Sequence, residues 1–280
     1  MKAKTILGSL AILLASCQTS AQGWFGQKTI KESKNYVTKE INVENFTAIN
    51  LQGSPTVTYT QQAGKPKVTV YTSDNIAEVL DIHTDDGTLY IRFKKGVNVS
   101  YKTLDIRVSS PRLEAVKLAG SGEIYLNDGL ETEDLQLSLA GSGDLNGKHI
   151  QCNQLKTSVA GSGDLHLTDV RCVQATASVA GSGDLSLRDL VCNSVEASVA
   201  GSGDIVLSGT GDRAQYSVAG SGDLKASALK VQQAEASVAG SGDITCHATE
   251  QLKARTTGSG NIGYKGNPRL DIPRKGIYKL

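Results

Sequence analysis

The tripeptide Gly-Ser-Gly begins at residues 120, 141, 161, 181, 201, 220, 240 and 258, in steps of 21, 20, 20, 20, 19, 20 and 18. A fixed period near twenty residues marks a solenoid, in which each repeat buries its apolar face only against its neighbours. The flanks repeat too. SVA or SLA precedes all six corners between 141 and 240, and Asp-Leu or Asp-Ile follows all of them.

Within a unit the period is two. Val195, Ala197 and Val199, then Ile205 and Leu207, alternate with Glu196, Ser198, Asp204 and Val206. That alternation reads as a strand with one buried face. Two glycines and a serine in mid-run disfavour a helix. Each unit is therefore expected to run strand, tight corner, strand, looser corner. The paired glycines Gly120 and Gly122, Gly141 and Gly143, Gly161 and Gly163, and Gly181 and Gly183 bracket the first four tight corners. Gly201 and Gly203, Gly220 and Gly222, Gly240 and Gly242, and Gly258 and Gly260 bracket the rest. A sharp reversal needs positive φ, and stacking identical corners needs close backbone approach; glycine meets both demands. The looser corner is expected at Asp169-Val170-Arg171, Asp189-Leu190-Val191 and Gly209-Thr210-Gly211, where small insertions account for the uneven steps. Twenty extended residues make a contour of roughly 66 Å, enough to enclose a thin apolar slab. The fold class expected is all-β: a right-handed parallel β-helix or two-sheet β-solenoid with rungs of about 20 residues. A leucine-rich repeat has a similar period, but it needs an Asn or Cys ladder and a helical return, and here the return is another strand.

The N-terminus carries an address. Lys2 and Lys4 precede the apolar run Ile6–Ala15, which has the length of a signal-peptide core and is too short to span a bilayer. The run ends in Leu14-Ala15-Ser16-Cys17, resembling a bacterial lipobox in which Cys17 becomes the lipidated first residue of the mature chain. Thr19-Ser20-Ala21 offers a rival cleavage point of the ordinary secretory kind. Either route takes the protein out of the cytoplasm. The expected organisation is a signal peptide over 1–17, a tether over 18–33, irregular β coils over 34–110, the regular solenoid over 111–262 and a cap over 263–280.

Eight GSG corners at this spacing, after a less regular N-terminal half, resemble the bacterial family described as "putative auto-transporter adhesin, head GIN domain". The resemblance extends from about Tyr36 to Ile272 and includes the closing GSGNIGYKGNP, Gly258–Pro268. It implies a two-sheet right-handed superhelix with GSG at the tight turn. It also implies kinship with pectin-lyase-like helices without their catalytic residues, and adhesion as the function. A trimeric autotransporter carries a C-terminal membrane barrel; none is legible here, so the lipobox is the expected anchor.

The N-terminal half reads as strands at Tyr36–Val43, Phe46–Leu51, Thr56–Thr60, Lys67–Tyr71, Leu89–Phe93 and Thr103–Val108, with a short helical turn in Ser73–Leu80. Phe46–Tyr59 echoes Leu113–Leu126, as a degenerate rung with Pro55 in place of the second glycine. At the other end Lys265, Arg269, Arg274, Lys275 and Lys279, with Pro268 and Pro273, have the charge and proline of an edge blocker. A lipid- or glycan-binding tail is the functional alternative.

Three columns of chemistry follow from the period. Asp144, Asp164, Asp184, Asp204, Asp223 and Asp243 should form a row, with Glu123 before it and Asn261 after. Neighbours about 4.8 Å apart repel by ~0.9 kcal/mol in water. Either bound calcium or hydrogen bonds from the serine and backbone N–H groups of each corner must offset that. Cys152, Cys172 and Cys192 should stack as thiols; one disulfide is the alternative, and a metal site is disfavoured because no CxxC or His pair accompanies them. Cys246 falls at a core phase. His83, His149, His166 and His247 share no repeat phase and read as isolated surface residues. AGSGD lacks the strand-to-helix setting of a nucleophile elbow. No enzyme activity and no cofactor is expected.

The formal charge of +1 carries no basic excess, which excludes nucleic acid as a main partner. Between Gly120 and Gly260 the only aromatics are Tyr125 and Tyr216, so the core must be small and aliphatic, and the Asp row lacks platforms for sugar rings. The expected function is a non-enzymatic cell-envelope β-solenoid, adhesin-like or structural. Its partners would be the membrane, through the N-terminal lipid, and surface polymers or host or sister-cell ligands; homo-oligomers are compatible with it. The alternatives are an envelope protein facing the periplasm that binds cations on the Asp row, and a degenerate pectin-lyase-like polysaccharide enzyme.

Overall fold

The computed structural model describes residues 29–272 and 276–280. Cys17, both cleavage points, most of the expected tether, and Pro273, Arg274 and Lys275 lie outside the described residues.

Two parallel ladders run the length of the chain. One contains the strands that enter the Gly-Ser-Gly corners: Ala48–Gly53, Ala115–Gly120, Asp134–Gly141, Gln154–Gly161 and Gln174–Gly181. It continues in the second halves of Leu185–Gly201, Ile205–Gly220, Leu224–Gly240 and Ile244–Gly258. The other holds the strands that leave the corners, among them Thr56–Gln61, Glu123–Asn127, Asp144–Gln151 and Asp164–Arg171. The first glycine of every corner pairs with that of the next, from Gly53 through Gly120 and Gly141 to Gly258. The chain is a β-solenoid of about 8 turns.

Alternation sets what is buried. Val195, Ala197, Val199, Ile205 and Leu207 all point into the core, while Glu196 faces solvent. Inward volume is traded along the axis. Leu135, Leu137 and Leu139 give way to Leu155, Thr157 and Val159, then to Ala175, Ala177 and Val179. Tyr216 is flanked in register by Ala197 and Ala236, so its ring fills the space two alanines vacate.

At the corners, the first glycine adopts φ between 124° and 140° from Gly120 to Gly258. Its carbonyl accepts two N–H groups from the rung above: Ser202 N at 2.8 Å and Gly203 N at 3.0 Å both reach Gly181 O. The second glycine needs no positive φ. It is required by approach, because a Cβ on Gly203 would run into the Gly183 carbonyl oxygen.

The looser corner divides into two bends. Asp128, His149, Asp169 and Asp189 adopt left-handed φ of 64°, 56°, 53° and 52°, and Gly209 takes over at 128°. Each slips the inward phase by one residue, so that Val170 follows Leu167, and Leu190 follows Leu187, as the next buried residue. A second bend at Asn153 or Val173 then leads into the following rung. Asp and His tolerate this conformation better than most side chains.

In the N-terminal half, all six expected strands form within a few residues of their expected bounds. The helical turn is Asp74–Ala77. Their order in space is not the order in the chain. Thr88–Phe93 and Leu104–Ser110 lie parallel beneath Ala48–Gly53 and Thr56–Gln61, although they follow them in sequence. Ala115–Gly120 then pairs on the opposite side of Ala48–Gly53. Lys67–Ser73 adds antiparallel to Leu104–Ser110, Tyr36–Ile41 antiparallel to that, and Leu80–Asp85 antiparallel to Thr88–Phe93. These antiparallel strands cover the first rung's edges. Thr29–Lys31, expected as tether, pairs with Asn98–Ser100. At the far end Arg269–Asp271 and Ile277–Lys279 add a short last rung on both ladders. The basic tail thus extends the sheet as well as ending it.

Candidate functional site

The Asp row forms, and its electrostatic problem is solved between rungs. From Asp184 onward, the backbone N–H of each row residue donates to the carboxylate one rung below. Asp184 N lies 3.0 Å from Asp164 Oδ1, Asp204 N 3.0 Å from Asp184 Oδ1, and Asp223 N 2.9 Å from Asp204 Oδ1. Asp243 N and Asn261 N continue the series at 2.9 and 2.7 Å. The sequence reasoning placed the offsetting donors in each residue's own corner; they come from the next rung, because these N–H groups leave the backbone ladder. Asp144 and Asp164 differ, since their N–H groups still reach the carbonyls of Gly122 and Gly143. Lys225 Nζ sits 2.6 Å from Asp204 Oδ2. Partial burial raises the Asp204 pKa, but the hydrogen bonds from Lys225 and from Asp223 N–H outweigh it and hold the carboxyl below its usual range. Among the described residues, no cluster of three His, Cys, Asp or Glu side chains has the arrangement to hold a metal ion.

Cys152, Cys172 and Cys192 stack at the second bend as free thiols, and Cys246 is a free thiol in the core. Burial raises the pKa of Cys192 to about 11 and that of Cys246 to about 12. Cys152 is pulled down by its hydrogen bond with Cys172. Two histidines find cross-strand partners, and a third a partner on its own strand, that their scattered sequence positions did not reveal. His149 Nδ1 meets Asp169 Oδ2 at 2.8 Å, His166 Nδ1 meets Ser186 Oγ at 2.8 Å, and His83 Nδ1 meets Asp81 Oδ1 at 2.8 Å. The His166–Ser186 pair has a nearly buried serine, 6% exposed, and ties two rungs together.

A groove of about 570 Å³ runs across five rungs of the ladder that enters the corners. Its floor is Ala175, Val195, Ala214 and Ala234, at the phase where earlier rungs carry Leu135 and Leu155. One wall is the in-register row Gln174, Ser194, Arg213, Gln233 and Gln251. The opposite row runs Thr176, Glu196, Gln215, Glu235 and Lys253, with Lys253 Nζ 2.7 Å from Glu235 Oε1. The two charges of each sign balance, and the remaining polar side chains offer donors and acceptors alike. Sequence reasoning missed this groove.

The repeat geometry has a counterpart among known families. The description "putative auto-transporter adhesin, head GIN domain" matches residues 45–205 and 169–268. The chain belongs to this head GIN domain family. No curated protein sequence matches it. Solved structures of similar shape include a "putative lipid binding protein" from Parabacteroides distasonis ATCC 8503, at 28% identity and a TM-score of 0.69, covering 90% of this chain and 100% of that one. A "putative adhesin" from the same organism is similar at 26% identity and a TM-score of 0.68, covering 90% and 100%. Another, from Parabacteroides merdae ATCC 43184, has 26% identity and a TM-score of 0.66, covering 90% and 99%. This head GIN domain chain is adhesin-like at that general level, as a protein of the cell surface or envelope. Among the described residues no helix is long and apolar enough to cross a membrane.

Proposed function

We propose that the chain is a non-enzymatic envelope β-solenoid, anchored through lipid on Cys17, whose long groove holds a linear, uncharged surface polymer. The observation that carries this reading is the groove itself. Its rows repeat every rung, about 4.8 Å, so a polymer lying along the axis meets the same polar groups again and again. Single contacts of this kind are weak, and repetition supplies the avidity. Balanced charge in the walls favours neutral polar chains over strongly anionic or cationic ones. The similar structures described as putative adhesins support the same reading. A lipid-binding role has less support: the apolar cleft between Ile41, Val70, Leu80 and Ile82 is about 80 Å³, far below the volume of typical ligand pockets.

Two measurements test the proposal. Protease added to intact cells should remove the protein; protection of the full chain would overturn surface display in favour of a periplasmic role. Attachment of cells to immobilised polysaccharide should fall when Arg213, Gln233 and Gln251 are replaced together by alanine. Unchanged attachment with a correctly displayed variant would remove the groove from the account.

A further inference from the structure

The antiparallel strands at the N-terminal end assemble something that no single stretch of sequence contains. Tyr36 and Tyr71 are 39% and 43% exposed. Their rings stack with centroids 5.8 Å apart and planes at 28°. Pairing places Tyr71 opposite Asp105, Asp105 opposite Thr56, and Thr56 opposite Glu123, so the aromatic pair stands at the head of the Asp row. Arg107 Nε and Nη2 hold Asp105 Oδ2 at 3.0 and 2.8 Å. Tyr71, Asp105 and Arg107, with Thr38 and Thr69, line a cleft of about 230 Å³. The row expected from sequence began at Glu123; the aromatic pair lies beyond that start.

We infer that this cleft binds a single pyranose ring at the end of a glycan. An exposed tyrosine face is rigid and amphipathic, and it suits the C–H face of a sugar ring. Beside it, the guanidinium offers planar donors and the carboxylate offers acceptors, the pairing that reads adjacent hydroxyls. The Asp105–Arg107 pair is neutral as a unit, so it matches an uncharged polyhydroxyl ligand. A bare cation on the tyrosine faces would meet repulsion from Arg107. The volume is below that of a drug-sized site, in keeping with one ring. This inference deepens the adhesive reading and rests on it only for access to external glycans; the ring-binding chemistry stands on its own.

The experiment is saturation-transfer NMR on the purified chain with methyl-β-galactoside, methyl-α-mannoside and N-acetylglucosamine, followed by titration with the sugar that gives transfer. Tyr71→Ala and Asp105→Asn are expected to weaken binding by about tenfold, whereas Tyr71→Phe keeps the ring and most of the affinity. Arg188→Ala, an exposed position on the strand Leu185–Gly201 away from both the cleft and the groove, should leave it unchanged. Because Tyr71 is exposed and Asp105 half-buried, unchanged melting of these variants confirms the fold. No transfer from any of the three sugars overturns the inference. So does equal binding by Tyr71→Ala, or preferential binding of phosphocholine vesicles. If Tyr71→Ala abolishes sugar binding while cell attachment persists, the sugar site stands and its part in adhesion falls.

Discussion

The middle of the solenoid and its N-terminal end use the same glycine corner under different constraints. At Gly203 the corner is stacked on both sides, and a Cβ would collide with the Gly183 carbonyl oxygen of the rung below. At Gly53 the φ of 95° also favours glycine, but the nearest atom to a Cβ is Pro55 Cδ at 3.8 Å. The rung beneath Gly53 pairs only as far as Leu51, so no second corner presses on it. Glycine in the repeats is thus demanded mainly by stacking, and at the end by dihedral angle alone. Gly203→Ala should therefore lose upward of ~3 kcal/mol, as overpacking against backbone does. Gly53→Ala should lose about 1–2 kcal/mol from the left-handed conformation. Denaturant midpoints of the two variants test this; equal losses would mean that corner stacking is not what selects glycine.

The same contrast explains which parts were legible beforehand. In the repeats, each strand's partner is the next copy of itself, so the period of the sequence is the register of the sheet. The Asp row, the Cys column and the glycine corners could be located from spacing alone. At the N-terminal end partners are not successive. Leu104–Ser110 lies against both Thr56–Gln61 and Lys67–Ser73, one parallel and one antiparallel, and strand propensity carries no record of such an order. The row Tyr71–Asp105–Thr56–Glu123 was invisible for that reason. Inside the repeats the hidden features were conformational. Left-handed residues are signalled by glycine at Gly209 but by Asp or His at Asp128, His149, Asp169 and Asp189, and single Asp or His residues have many other uses.

Two buried tyrosines sharpen the comparison in energetic terms. Tyr59, at the N-terminal end, is 1% exposed, and its hydroxyl reaches Ser110 O at 3.2 Å and Ser110 Oγ at 3.0 Å. Tyr216, in the repeats, is equally buried, and its hydroxyl has no hydrogen-bond partner among the described residues. The irregular end brings the last residue of Leu104–Ser110 to a buried hydroxyl. The repeating slab offers alanines, aliphatic chains and the buried thiols of Cys192 and Cys246. Tyr59→Phe should cost about 1 kcal/mol, and Tyr216→Phe should gain a similar amount, because it removes a desolvated donor without changing the ring's packing. The opposite signs are the test. Destabilisation by both would show that the Tyr216 hydroxyl is satisfied in solution and that the slab is less dry than its packing indicates.

The smallest expected effect concerns two carboxylates with lowered pKa. Asp81, at the N-terminal end, is held down first by the hydrogen bond from Arg92, against burial, with His83 assisting. For Asp204, burial is the largest influence and acts upward, but the hydrogen bonds from Lys225 and from the Asp223 backbone outweigh it. A folded-state pKa below the unfolded value gives stability that is present above the ordinary carboxylate range and is lost as pH falls through the folded value. Both residues should therefore contribute to an acid limb below about pH 4. The asparagine variants should separate them. Asp81→Asn gives up the Arg92 ion pair, which is its chief support. Asp204→Asn gives up the Lys225 pair but keeps an oxygen to accept the Asp223 N–H, as an uncharged side chain in the row still can. Asp204→Ala removes that acceptor as well. In urea titrations at neutral pH, Asp204→Asn should therefore be milder than Asp204→Ala, by less than ~1 kcal/mol given the partial exposure, and both should flatten the acid limb. If asparagine and alanine were equally costly at position 204, the carboxylate-to-backbone bonds that join successive rungs would contribute nothing. The charge on the Asp row would then need some other support.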